Sequence, residues 1–126
     1  MNRTVRALAI LTTLTAGASA QQPVRCPSNL TMKEVITALG PDIRAQPVYA
    51  GGGIRGWRLY GARQSAQLTA HAINEGTMMT HVCGIGAREI LAADLNVCCN
   101  PDASREFEAT FQVDGTDKKV VIKRPG

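Results

Sequence analysis

Aromatic residues are scarce in this sequence: one Trp, two Tyr and two Phe make up 4% of its 126 residues. Trp57 and Tyr60 stand too far apart from other rings to form the stacking platform that binds sugars or bases, so we expect them to pack in the core. Charged residues make up only 19% and apolar residues 44%, a balance that excludes an intrinsically disordered chain. No apolar run approaches the ~20 residues that a membrane-spanning helix needs. The sequence therefore predicts one globular domain.

The N-terminus has the pattern of a secretory signal. Arg3 and Arg6 form a basic n-region, residues 7–14 are an apolar h-region, and residues 18–20 read Ala-Ser-Ala, a small-x-small cleavage site. We expect residues 1–20 to be removed after export. An uncleaved N-terminal anchor is the alternative, although the h-region is short for a membrane span.

Positive charge is in small excess, with 14 Lys and Arg against 10 Asp and Glu. Arg3 and Arg6 leave with the predicted signal, so the excess in the mature chain is too weak for a nucleic-acid-binding surface. The basic residues near the C-terminus are Lys118, Lys119, Lys123 and Arg124. Apolar residues 120–122 interrupt them, which favours the solvated face of an edge strand.

The cysteines do not have the spacing of a metal site. Cys26, Cys83, Cys98 and Cys99 include no Cys-x-x-Cys pair, and the two histidines form no His-x-x-x-His pair. In an exported protein these cysteines are expected to form disulfides. A bridge between neighbours 98 and 99 would be strained, so each is predicted to pair with Cys26 or Cys83, in either order.

No recognisable catalytic motif is present. Ser65, His71, His81 and Asp94 supply the residue types of a hydrolase triad, but Ser65 lies in no Gly-x-Ser-x-Gly turn. The sequence thus predicts no enzyme, no cofactor and no metal, and an enzyme or metal carrier would have to be shown by bound metal.

Turn residues and hydrophobic spacing divide the mature chain into short elements. Thr31 and Glu34 have the spacing of a capping box before a helix at 32–39, and Gly40 ends it. Residues 45–50 and 54–60 flank a Gly-Gly-Gly turn, which is typical of a β-hairpin. Further predicted elements are a helix at 65–72, a strand at 77–82, a helix at 87–100, and strands at 106–113 and 118–123 around an Asp-Gly turn.

These elements predict an α+β fold: a small antiparallel β-sandwich or barrel with two to three short helices. Residues 21–29 are polar and include two prolines, so we expect an exposed lead-in at 21–30 before a domain spanning 31–126.

Several segments resemble a known family. Residues 73–84, Ile-Asn-Glu-Gly-Thr-Met-Met-Thr-His-Val-Cys-Gly, resemble the bacterial PDZ pattern in which Gly-Asp precedes a strand ending in Asn-Gly. Residues 46–49, Gln-Pro-Val-Tyr, and 56–63, Gly-Trp-Arg-Leu-Tyr-Gly-Ala-Arg, are similar to the PDZ domain of the type II secretion system C protein. The resemblance covers about residues 32–124 and implies a PDZ-like fold.

The resemblance also implies a peptide-binding site, because PDZ domains add an extended peptide to a sheet edge. That edge would be residues 57–60, the loop that receives a terminal carboxylate would be residues 54–56, and a helix carrying Leu91, Leu95 and Cys98 would form the facing wall. The expected peptide-binding residues are Ile54, Arg55, Gly56, Trp57, Arg58, Leu59, Tyr60, Leu91 and Leu95.

Together these observations predict a periplasmic or secreted module that binds a protein or peptide partner of the cell envelope, as an accessory of type II secretion, protein transport or envelope assembly. Nucleic acid and stable membrane insertion after signal removal are not expected. The alternative is a disulfide-stabilised periplasmic structural protein that has no peptide groove.

Overall fold

The computed structural model of the chain describes residues 26–125. The predicted signal at residues 1–20 lies outside the described residues, as does the start of the predicted lead-in. The elements in chain order are β1 (Ser28–Thr31), α1 (Met32–Leu39), β2 (Arg44–Ala50), β3 (Gly53–Tyr60), a 3₁₀ turn (Ala62–Gln64), α2 (Ala66–Ala70), β4 (Met78–Val82), β5 (Ile85–Gly86), α3 (Ala87–Ala92), β6 (Asn96–Cys99), a second 3₁₀ turn (Pro101–Ser104), β7 (Glu106–Val113) and β8 (Thr116–Lys123).

The strands form two antiparallel sheets. In the larger sheet β2, β3, β4, β7 and β8 follow one another, and β5 pairs with the end of β4. The second sheet contains β1 and β6. This arrangement confirms the expected α+β fold of antiparallel strands with short helices.

Helix α1 begins at the capping box that the sequence predicts. The Glu34 N–H donates to Thr31 Oγ1 at 3.1 Å, and the Thr31 N–H donates to Glu34 Oε1 at 2.9 Å. Both bonds satisfy donors that a helix start would otherwise leave free. The bond from the Thr31 backbone stabilises the charged carboxylate and so lowers the pKa of Glu34. Val35 and Leu39 are buried and attach the helix to the core.

Two glycine-containing turns set the register of the hairpins. Gly51 and Gly52 join β2 to β3 with φ of 61° and 84°, and Asp114 and Gly115 join β7 to β8 with φ of 52° and 78°. Left-handed backbone at both central positions matches the twist of the flanking strands. Both predicted hairpins are confirmed.

The core lies between the larger sheet and the helices. Leu59, Met79 and Phe111 from the central strands are fully buried, as is Ile90 of α3. Trp57 is 5% exposed, so its expected packing in the core is confirmed.

One disulfide lies within the region of the small sheet, and a second joins that sheet to the turn between β4 and β5. Cys26 is bonded to Cys98, and Cys83 is bonded to Cys99. Because successive residues of a strand point to opposite faces, Cys98 is exposed while Cys99 is buried. Neighbouring cysteines can therefore serve two separate bridges, as expected, and the structure gives the order that the sequence left open.

The predicted helix at 87–100 is wrong in its second half. Helix α3 ends at Ala92, Asp94 and Leu95 have φ of 57° and 63°, and the chain turns into β6. Val97 of β6 is buried opposite Leu30 of β1. Apolar residues in so short a run fit a strand as well as a helix, and here pairing with β1 decides.

The lead-in is also less exposed than predicted. Residues 28–31 pair with β6, and Leu30 is 2% exposed. A single apolar residue among polar ones gives no period, so the sequence contains no local signal of this strand.

Candidate functional site

The predicted peptide-binding edge is not an edge. Residues 57–60 lie in β3, which pairs with β2 on one side and with β4 on the other. Arg58 stands opposite Gln46 of β2 and Met78 of β4. Since both sides of the strand are already hydrogen-bonded, no peptide can add to β3 there.

The structure nevertheless brings four of the predicted residues together. Ile54 and Trp57 of the sheet face Leu91 and Leu95 across a groove of about 330 Å³. Its walls are α1 and the segment from α3 to β6, and its floor is the β2–β3 hairpin. We call this the apolar groove; the remaining lining residues are Met32, Lys33, Ile36, Ala45, Pro47 and Tyr49.

Three large apolar side chains that line the groove are exposed to solvent. Tyr49, Leu91 and Leu95 are 63%, 41% and 42% exposed, and among the described residues the only other large hydrophobic side chain this open is Val121 of β8. Single exposed apolar residues are normal on a protein surface, whereas a cluster of them is typical of a binding surface. Three of these four exposed side chains therefore lie around the same groove.

Leu95 is held there by its backbone. Its N–H donates to the Ile90 carbonyl at 2.9 Å, and its carbonyl accepts from the Met32 N–H at 2.9 Å. A φ of 63° is costly for leucine, because Cβ crowds the backbone, and Gly or Asn adopts it more readily. An unfavourable backbone that presents an exposed leucine is a feature associated with function.

A second depression adjoins the apolar groove. We call it the basic cleft; it has a volume of about 470 Å³ and shares Ile54 with the groove. Its charged and polar lining includes Arg55, His81, Arg88 and Glu89. The Thr80 hydroxyl and His81 Nδ1 lie 2.8 Å apart at its floor.

The position of Arg88 depends on Gly53. A Cβ added at residue 53 would lie 2.7 Å from Arg88 Nε and 2.8 Å from Nη2, so the guanidinium lies directly over the glycine. Only a residue without a side chain permits this approach. The absence of a side chain at Gly53 therefore leaves room for the Arg88 guanidinium in this position beside the basic cleft.

The two arginines of the cleft form no ion pair with an acidic residue of segment 26–125. The ion pairs within residues 26–125 are Arg105 with Asp102 and Arg124 with Glu34. Arg55 and Arg88 are both exposed and take part in neither. Their guanidinium groups remain available to a carboxylate or phosphate, which a guanidinium can bind through two parallel hydrogen bonds.

Other predicted site residues contribute to the packing and pairing of β3 rather than to the lining of the groove. Leu59 is fully buried, and Tyr60 pairs with Arg44 of β2. A Cβ at Gly56 would lie 2.5 Å from the Met79 carbonyl oxygen, so this glycine allows close packing of β3 on β4. Arg58 donates from Nη1 to the Gly76 carbonyl at 3.0 Å.

Cys98, predicted on the wall of the site, lies in β6 and is bonded to Cys26. Sequence reasoning missed Tyr49, Pro47, Ile36 and Arg88 as lining residues. Alternation in β2 places Pro47 and Tyr49 on one face and is the signal that would have found two of them.

The residues considered for a hydrolase triad have other partners or positions. Ser65 is buried; its hydroxyl donates to the Leu39 carbonyl at 2.6 Å and accepts from the Leu68 N–H at 3.2 Å. It thereby caps α2 and ties it to the end of α1. His71 follows α2, and His81 lies in β4 beside Thr80.

Glu75 organises the loops on the far side of β3. Its carboxylate accepts from the Gly61 N–H at 2.8 Å and from the Ala62 N–H at 2.8 Å. These bonds stabilise the charged carboxylate and so lower the pKa of Glu75, and the bond from the Gly61 backbone has the largest effect.

None of the helices formed by residues 26–125 has the length and hydrophobicity of a transmembrane helix. Two disulfides are typical of proteins in oxidising compartments. Comparison of the chain with family models, with curated proteins and with solved structures found no match.

Proposed function

We propose that this protein is an exported protein-binding module that holds a segment of a partner protein in the apolar groove. The observation that carries the proposal is the concentration of Tyr49, Leu91 and Leu95 around one groove; they are three of the four exposed large hydrophobic residues within 26–125. Export is supported by the signal pattern of residues 1–20 and by the two disulfides.

The proposal keeps the function that the PDZ resemblance implies but changes the mode of binding. Because β3 is paired on both sides, binding depends on side chains that enter the groove over the face of the sheet rather than on strand addition at residues 57–60. The expected partner is a protein of the cell envelope, and an accessory role in type II secretion or envelope assembly is part of the proposal.

In vivo photo-cross-linking tests the proposal. A benzophenone amino acid at Leu91 of the full chain should give a discrete adduct with a partner, and the same probe at Val121 should not. Val121 is a matched control, since it is 46% exposed but lies in β8 and does not line the groove. The adduct at Leu91 should disappear when Leu95→Ser is added.

Equal adducts at both positions, or none at Leu91, would contradict a binding role for the groove. That result would favour the alternative of a disulfide-stabilised structural protein without a peptide groove.

A further inference from the structure

We propose that the segment held in the apolar groove is an acidic amphipathic helix: leucine-like residues enter the groove, and Asp or Glu side chains pair with Arg55 and Arg88. This inference rests on the proposed function and specifies the chemistry of the partner.

The free sheet edges argue against an added strand. β2 is one edge, and Pro47 in its middle has no N–H to donate to a further strand. β8 is the other edge, and at Lys123 the side-chain amide of Gln67 already fills it, accepting from the Lys123 N–H at 2.7 Å and donating to its carbonyl at 2.8 Å. Pro47 therefore disfavours strand addition at the middle of β2, and we infer an occupant that satisfies its own backbone hydrogen bonds, as a helix does.

The groove has the form that takes such a helix. It is lined by apolar side chains from two walls and a floor, and a volume of about 330 Å³ accommodates a few side chains rather than a whole helix. Helices bind such grooves through residues spaced i, i+3 or i+4, and i+7. Exposed Leu91 and Leu95 on one wall and Tyr49 on the floor would contact that stripe.

The charges around the groove specify the polar face of the partner. Arg88 precedes Leu91 by three residues and thus by about one turn of α3, so a helix seated against Leu91 passes the basic cleft. Arg55 lies in the same cleft, and Glu89 is its one acidic lining residue. Neither arginine has a carboxylate partner among the ion pairs of residues 26–125.

The only charged residue lining the apolar groove itself is Lys33, on the opposite wall from Leu91. A chain terminus supplies a single carboxylate, whereas acidic side chains along a helix supply one to each of these cations. The charge arrangement therefore favours acidic side chains over a terminal carboxylate.

Trp57 provides a direct measurement, because it is the only tryptophan of the chain and it lines the groove. The probes are Trp-free synthetic helices of about 16 residues with leucines at i, i+4 and i+7, whose polar positions are all Glu, all Gln or all Lys. Each is titrated into the oxidised, signal-free protein while Trp57 emission is recorded. We expect the Glu helix to bind at least about tenfold more tightly than the Lys helix, with added salt reducing the difference.

Variants of the protein locate the charge contact. Arg88→Gln and Arg55→Gln should each weaken binding of the Glu helix by about three- to tenfold and leave binding of the Gln helix unchanged. Gly53→Ala should act in the same direction as Arg88→Gln, since it displaces the guanidinium without removing its charge. Arg105→Gln is the matched control, because this arginine is paired with Asp102 outside both depressions, and it should change nothing.

Each of the following results would overturn the inference. Equal binding of the Glu, Gln and Lys helices would remove the acidic requirement while leaving the groove a binding site. If a Glu peptide with a central Pro bound as tightly as the Glu helix, the bound segment would not be helical. If amidation of the peptide's C-terminus abolished binding, the cleft would be a site for a chain terminus. Binding of none of the peptides would also overturn the helix assignment, whereas failure of the proposed function is read separately from the Leu91 cross-link.

A dimer of the protein that Leu91→Ser abolishes would place a second copy in the groove, again against the inference. Sedimentation of the oxidised protein at the titration concentrations decides this point.

Discussion

At the residue scale, Leu95 combines a solvent-exposed apolar side chain with a left-handed backbone. The left-handed backbone is uncommon for leucine, because Asn or Gly fits this φ better, and either of them would also expose less apolar surface. The two hydrogen bonds of its backbone hold the conformation whatever side chain is present. A substitution at position 95 is therefore expected to change binding without lowering stability.

We predict that Leu95→Asn leaves the free energy of unfolding unchanged or raises it by up to about 1 kcal/mol, because it relieves the strained φ. The same variant should lose the Leu91 cross-link. Urea denaturation followed by Trp57 emission measures the first effect. Leu91→Asn is the matched control for stability: it is equally exposed but helical, so it should lose about 0.5 kcal/mol.

A loss of more than about 1 kcal/mol in Leu95→Asn would show that the leucine serves the fold, and would weaken its assignment to the groove.

Glu75 shows how one carboxylate holds two loops through backbone donors. Its pKa is lower in the folded protein than in the unfolded chain. Stability from these bonds is therefore fully present above the unfolded-state pKa near 4.5 and is lost as the pH falls through the folded-state pKa.

We predict that the wild-type protein loses stability between about pH 5 and about pH 3 and that Glu75→Gln, which does not titrate, reduces this loss. Urea midpoints measured across that range for both proteins test this. A parallel decline in the two proteins would show that Glu75 contributes nothing to the loss of stability at acid pH. Glu108→Gln, which changes an exposed residue of β7, serves as the control.

At the element scale, the sequence was most informative where local chemistry decides the structure. The capping box of α1 and the two glycine-containing turns depend on residues within a few positions of one another, and these elements have the predicted bounds to within one or two residues. Segment 93–100 was predicted wrongly because its conformation depends on β1, more than sixty residues away in sequence. The spacing of apolar residues within the segment gives no information about so distant a partner.

The candidate site was predictable to a similar extent. Ile54, Trp57, Leu91 and Leu95 were identified as facing residues and do face one another. Their geometry could not be predicted, because the sequence does not say that β4 occupies the second side of β3. That pairing turns a predicted edge into the floor of a groove.

At the scale of the whole molecule, the Cys26–Cys98 disulfide ties the segment before β1 to β6 within the small sheet, and the Cys83–Cys99 disulfide joins the small sheet to the large one. The Cys26–Cys98 bridge spans 72 residues and the Cys83–Cys99 bridge spans 16. On the chain-entropy account, closing loops of these lengths in the unfolded state contributes about 4 and about 3 kcal/mol respectively. Both values are large beside the 5–15 kcal/mol typical of a domain.

We predict that the variant Cys26→Ser with Cys98→Ser is less stable by about 4 kcal/mol and still contains no free thiol, because it removes one native bridge and leaves the other. The matched variant Cys26→Ser with Cys99→Ser disrupts both native bridges and should show two reactive thiols or a non-native 83–98 bridge. Thiol titration and urea denaturation of the two variants distinguish them, and two thiols in the first variant would contradict the pairing.

The long bridge also determines what a protease can release. The exposed turn at Gly51 and Gly52 lies between Cys26 and Cys98, so a cut there opens the chain but leaves both pieces joined covalently. A cut at Asp114 and Gly115 lies beyond every cysteine, and only noncovalent contacts then retain β8. In an extracellular setting the protein can thus be nicked at its groove-side hairpin and remain a single molecule, whereas its last hairpin has no such safeguard.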